Sequence, residues 1–160
     1  MQDNECIYMR RAIELAEKAM ELGEIPVGAV VVKDGKIIGE GYNLRENNKD
    51  AVAHAEIIAI REACAAVGDW RLSDCVLYVT LEPCPMCTGA IINSRIEKVV
   101  FGAKDSAAGC CGSLIDLGRY PFNHSFSVES GVCEEDCSRI LKEFFSLKRK
   151  SGNKNLHYIK

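Results

Sequence analysis

The sequence predicts an α/β protein: a mixed sheet of about five strands packed between helices, a three-layer α/β/α arrangement. Three observations predict it. Buried-type strands rich in β-branched residues, Cys75 to Leu81 and Lys98 to Ala103, alternate with helical segments from His54 onward. That alternation implies a βαβ crossover and parallel pairing. Earlier in the chain, Asp34-Gly35 stands between two apolar runs, a hairpin signal. With 160 residues, 48% hydrophobic and 27% charged, the chain fits one domain with a substantial core, read as residues 1–160.

Each element follows from its own pattern. Met9, Ala12, Ile13, Ala16, Ala19 and Met20 recur at helical spacing, with Asp3 or Asn4 as the cap and Gly23 as the stop. Val27 to Val32 is a continuous apolar strand. Its hairpin partner runs through Ile37-Ile38 and ends near Tyr42-Asn43. Leu44 to Asp50 reads as a polar loop. A helix then starts around His54 and carries Ile57, Ile58, Ile60, Ala63 and Cys64. After the strand Cys75 to Leu81, Pro83-Cys84-Pro85-Met86-Cys87 opens a helix through Ile92, because proline is favoured in a first helical turn. Beyond the strand Lys98 to Ala103 comes a loop of small residues, Asp105 to Ser113, and a candidate short helix at Leu114 to Leu117. Phe126 and Val128 suggest one last strand. The final helix begins near Glu134-Glu135-Asp136, with Cys137, Ile140, Leu141, Phe144 and Leu147 as its apolar stripe.

Composition excludes several classes. No apolar stretch approaches the length needed to cross a bilayer, and the N-terminus lacks the basic and apolar regions of a secretory signal, so a cytoplasmic protein is expected. Nine cysteines, an odd number, then read as reduced thiols, with one pair in a metal motif. Cys110-Cys111 is left without a role. The net charge of −3 argues against a general nucleic-acid binder, yet from Arg139 onward seven basic residues face one acid, Glu143. Lys148, Arg149 and Lys150 either complement a helix dipole or meet phosphates.

The chemistry rests on His54-Ala55-Glu56 and, thirty positions later, Cys84 and Cys87. His54, Cys84 and Cys87 are three zinc ligands. A structural zinc site closes with four protein ligands, whereas a catalytic one keeps a place for water. Cys84 and Cys87 are three apart, so one helix face presents both sulfurs, and a helix start favours their negative charge. Glu56 lies two residues beyond His54, off its helix face, and reads as a proton carrier rather than a fourth ligand. Each half alone is weak, since a lone C-x-x-C also fits a redox pair or half of a closed zinc knot. H-x-E followed by P-C-x-x-C resembles the signature of zinc-dependent nucleobase deaminases. Asn43, closing a strand ahead of the motif, is either a substrate contact or a buried capping amide.

Beyond the motif, the chain resembles the bacterial tRNA-specific adenosine deaminases, the wobble-adenosine branch of the cytidine deaminase-like superfamily, over nearly its whole length. The likeness runs through Ile25-Pro26-Val27-Gly28-Ala29-Val30-Val31, Gly41-Tyr42-Asn43, Ala53-His54-Ala55-Glu56 and Leu77 to Cys87. It continues through Ser94-Arg95-Ile96, Val100 to Asp105, Gly112-Ser113-Leu114, Phe122-Asn123-His124 and Lys142-Glu143-Phe144-Phe145. The resemblance implies a cytidine deaminase-like fold, one zinc per subunit and a homodimer. It also implies a tRNA anticodon loop whose wobble adenine is flipped into the pocket, of the tRNA-Arg with anticodon ACG. The reaction implied is hydrolysis of an amidine C–N bond with release of ammonia. By position, Asn43 matches a base-contacting residue, Asn123 a residue holding flipped nucleotides, and Asp105 an acid in the loop over the RNA. Phe144, Lys148 and Arg149 match the helix covering the anticodon. Ala107 departs from the pattern, because related loops often carry Lys there; Lys104 is a substitute. The rivals are a deaminase of free guanine or cytosine, and a non-catalytic zinc-stabilised RNA-binding subunit that would not need Glu56.

Overall fold

The computed structural model describes residues 2–152, so Lys154, His157 and Lys160 lie outside the described residues. Helix α1 spans Gln2–Glu21, beginning ahead of the cap expected at Asp3 or Asn4. Strands β1 (Gly28–Lys33) and β2 (Lys36–Tyr42) form the expected hairpin. Asp34 and Gly35 both take positive φ, 51° and 75°, the turn whose twist suits a two-residue hairpin. Then come α2 (Arg45–Asn48), α3 (Ala55–Val67), β3 (Cys75–Leu81), α4 (Pro85–Ser94), β4 (Lys98–Ala103), β5 (Ser127–Ser130) and α5 (Glu134–Lys150).

Two expectations are corrected. The segment read as a polar loop contains the four-residue helix α2, which has no side-chain cap of its own. Its start is capped from a distance: the Glu24 carboxylate accepts the N–H groups of Glu46 at 3.0 Å and Asn47 at 2.8 Å. The short helix expected at Leu114 to Leu117 is instead a 3-10 turn at Leu117–Arg119. An antiparallel bridge between Cys111 and Asp116 holds the chain ahead of it, and Asp116 Oδ1 accepts the Gly118 N–H at 3.0 Å.

The sheet has five strands in the order β2-β1-β3-β4-β5. β1 is antiparallel to β2 and β3, whereas β3, β4 and β5 run parallel. It follows that β2, β3, β4 and β5 all point the same way. Their carboxyl ends share one edge of the sheet, which is where open α/β sheets bind ligands. α1 and α5 touch each other on one face, and α3 and α4 pack on the other. Glycines permit the closest approaches. A Cβ on Gly28 would overlap the α1 backbone at Ala12, and one on Gly41 would overlap α3 at Ala55. α5 packs on β4 with Cys137 against Gly102, and burial of its Ile140 and Phe144 contributes about 1.5–3 kcal/mol each. Among the described residues, no helix is long and apolar enough to cross a membrane.

Candidate metal centre and active site

Two helix starts converge at the carboxyl edge. His54 is the N-cap of α3 and Cys84 the N-cap of α4, both in extended backbone, and neither side chain caps its own helix. Pro85 occupies the first position of α4, where its missing N–H costs nothing. The imidazole and sulfur are thereby directed to another task, with the positive ends of two helix dipoles nearby.

His54 Nδ1 lies 3.6 Å from Cys84 Sγ and 3.5 Å from Cys87 Sγ. A tetrahedral zinc with Zn–N near 2.05 Å and Zn–S near 2.3 Å separates nitrogen from sulfur by about 3.6 Å. The donor set therefore fits zinc in both chemistry and spacing. All three ligands are buried, and among the described residues the group comprises these three alone. Glu56 is fully buried in the first turn of α3.

The other expected site residues divide. Asn43 follows the carboxyl end of β2 and is only 1% exposed. Its Oδ1 accepts the Arg45 N–H at 3.2 Å and its Nδ2 donates to Ile25 O at 3.3 Å, so the capping arrangement is present. An amide has two donors and two acceptor sites, so these two bonds use one of each. Asp105 follows β4 at the same edge. Its Oδ1 accepts the N–H groups of Ala107 and Ala108, while Oδ2 is buried and has no hydrogen-bond partner among the described residues.

Asn123 is exposed and lies elsewhere. The neighbouring His124 has Nε2 2.7 Å from Ile96 O, just ahead of β4. The six residues of β4, about 20 Å of strand, separate that point from the metal edge. One chain alone does not bring Asn123 to the metal residues. Phe144 is buried at 6% exposure, beneath the Lys148 ammonium, whose Nζ is 5.5 Å from the ring centroid. Lys148 and Arg149 occupy the last turn of α5.

Cys110 and Cys111 find their explanation in packing. Burial raises both thiols, Cys111 to about 12, and Cys84, Glu82 and Asp105 raise Cys110 further. Cys110 Sγ donates to Ala108 O at 3.4 Å, and Cys111 Sγ is 3.9 Å from Thr88 Oγ1. Sequence reasoning missed one site-edge residue, Glu82. It is fully buried between the end of β3 and Pro83, a charged side chain interrupting an apolar strand end.

Comparison with known proteins agrees with this geometry. Residues 2–103 match the zinc-binding region of cytidine and deoxycytidylate deaminases. A tRNA-specific adenosine deaminase of Bacillus subtilis is 53% identical over 154 residues, covering 94% of this chain and 96% of the relative. A solved structure from work on A-to-I editing by tRNA deaminases at the wobble position superposes with a TM-score of 0.80 at 41% identity, covering 84% of this chain and 98% of that one. A guanine deaminase from Nitrosomonas europaea has a TM-score of 0.73 at 26% identity, covering 87% and 83%.

Proposed function

The chain belongs to the tRNA-specific adenosine deaminases, and from that premise we propose that it converts adenosine to inosine at the wobble position of a tRNA anticodon by zinc-dependent hydrolysis. The observation that carries the reading is the triangle of one imidazole and two cysteine sulfurs at two helix starts, with buried Glu56 in the first turn of α3. His54, Cys84 and Cys87 hold one zinc per chain. Bound there, zinc supplies a Lewis acid that makes water nucleophilic near neutral pH.

The chain's own residues do the rest. Glu56 accepts a proton from the attacking water and delivers it to adenine N1 as oxygen bonds to C6. It then relays the new hydroxyl proton to the amine, the C6–N bond breaks, and ammonia leaves a C6 carbonyl with a proton on N1. Adenosine and water become inosine and ammonia. Asn43 contacts the base with its remaining amide capacity. Asp105 offers its unpartnered oxygen to a hydroxyl or N–H donor of the RNA; a buried acceptor left unpaired is costly, so a donor arriving there gains binding energy. Lys148, held over Phe144, and Arg149 face phosphates of the anticodon arm. The loop is read as a splayed single strand, so a local basic face suffices in an acidic protein.

A homodimer is part of the proposal. The outer face of α3 and α4 carries a groove lined by Ile57, Ile60 and Ala90 with half-exposed Trp70, an apolar strip suited to a second copy. Light scattering is expected to give twice the chain mass of 17.6 kDa, and Ile57→Asp to halve it; a monomeric parent protein refutes the pairing. One deaminase domain over residues 1–160 is also proposed, supported by β5 joining the sheet and α5 packing on β4. Nine cysteines that form no disulfide and an RNA substrate suit a cytoplasmic setting.

The direct test offers zinc-loaded protein an anticodon stem-loop with the ACG sequence, then free guanine, cytosine and adenine, and measures ammonia and inosine. Inosine in the stem-loop is the expected product. Ammonia from free guanine or cytosine, with the stem-loop untouched, would establish the free-base reading instead.

A further inference from the structure

Glu82 is neither a metal ligand nor a proton carrier in the mechanism above, yet its carboxylate is fully buried one residue before the Pro83-Cys84 turn. Burying a carboxylate is costly unless donors surround it. Here the donors all come from one loop. Glu82 Oε1 accepts the Asp105 N–H at 3.3 Å and the Ser113 hydroxyl, and Oε2 accepts the N–H groups of Cys111 and Ser113, each at 3.1 Å. Gly109 is shaped to the same contact, for a Cβ there would overlap Glu82 Oε2 and the Asp105 carbonyl. The Cys110 N–H closes the seam by donating to Pro83 O at 2.9 Å. Two different kinds of constraint, a full set of donors and a residue without a side chain, thus meet on one carboxylate.

We propose that Glu82, with Ser113 and Gly109, is a positioning residue that locks the Asp105–Ser113 loop onto the metal-bearing turn and so fixes Asp105 where RNA must meet it. The proposal rests on the tRNA deaminase reading. It extends that reading by assigning RNA affinity to a residue that touches neither metal nor RNA. The lock joins the two halves of the site: Cys84 follows Glu82 by two residues, and Asp105 hangs from its Oε1. A carboxylate suits the post because it only accepts, and all four partners donate. Glutamine matches the shape but turns an N–H₂ toward donors that need an acceptor.

The experiment compares Glu82→Gln, Ser113→Ala and the double variant with the parent protein. Hydrogen exchange of residues 105–113, zinc content, melting temperature, stem-loop Kd and the split between KM and kcat are measured. Glu82→Gln is expected to deprotect the Cys111 and Ser113 amides and to raise Kd and KM about tenfold, the scale of one charge-assisted hydrogen bond. Zinc content should stay at one per chain and kcat within about threefold, less than one such bond is worth. Ser113→Ala, which removes one donor and leaves the fold intact, should move Kd and KM in the same direction by less, and the double variant should add little to Glu82→Gln. Unchanged amide protection in Glu82→Gln overturns the lock. So does deprotection without a rise in Kd, or a loss of zinc, melting temperature and kcat in parallel. A parent protein that neither binds nor converts the stem-loop sinks the deaminase reading, whereas the exchange data still judge the lock on their own.

Discussion

Replacing Glu56 with glutamine is expected to lower kcat for stem-loop deamination by about 10²–10⁴-fold while zinc stays bound. The size follows from its double duty. One carboxylate takes a proton during attack and returns protons to N1 and to the leaving amine, so its loss removes general base and general acid catalysis together. Glutamine preserves volume at a fully buried position in the first turn of α3, which keeps the packing cost small and separates chemistry from folding. Alanine at the same place should give a loss at least as large, with added destabilisation from the cavity. Single-turnover assays with saturating enzyme measure the chemical step directly, and metal analysis of the same sample checks the zinc. Activity within tenfold of the parent would remove Glu56 from the mechanism and favour a zinc-stabilised binding subunit.

Cys87→Ala should be the most damaging single substitution. Cys87 is completely buried in the first turn of α4, and its sulfur is one of two set about 3.6 Å from His54 Nδ1, the spacing tetrahedral coordination requires. Without it only two protein donors remain. Zinc content is expected to fall from one per chain to near zero, and inosine formation to fall below detection. Stability should drop as well, because a ligand bound a thousandfold above its Kd stabilises the folded state by about 4 kcal/mol. Chelation of the parent protein should reproduce both losses, and added zinc should restore the parent but not the variant. A Cys87→Ala protein that keeps zinc and activity would mean that the ion sits elsewhere.

Much of this molecule was legible in the residue order because the relevant signals are local. The Asp34-Gly35 turn, the β-branched runs of β1, β3 and β4 and the apolar stripe of α5 each report their own conformation within a few residues. The metal triad was readable for a related reason. Two of its ligands are three apart on one helix, and proline at the first position of α4 marks where that helix starts. Where local signals were absent, the reading failed. α2 takes two of its first bonds from Glu24, some twenty residues away, and the turn after Asp116 answers partly to a bridge from Cys111, so local signals alone do not announce either.

Chemical identity was thus determined by the sequence: which side chains can bind a cation, which can carry a proton, and which stretches can form strands. Only the tertiary structure decided how those side chains are shared out in space. It set Asn43, Cys84 and Asp105 on one edge because β2, β3 and β4 point the same way, and it sent Asn123 to the opposite edge. It turned Phe144 inward beneath Lys148 and made Glu82 the anchor of a loop more than twenty residues distant. The physical reason is one of range. Propensity and coordination chemistry act within a turn or two of the chain, whereas burial and hydrogen-bond satisfaction are settled only after distant segments have met.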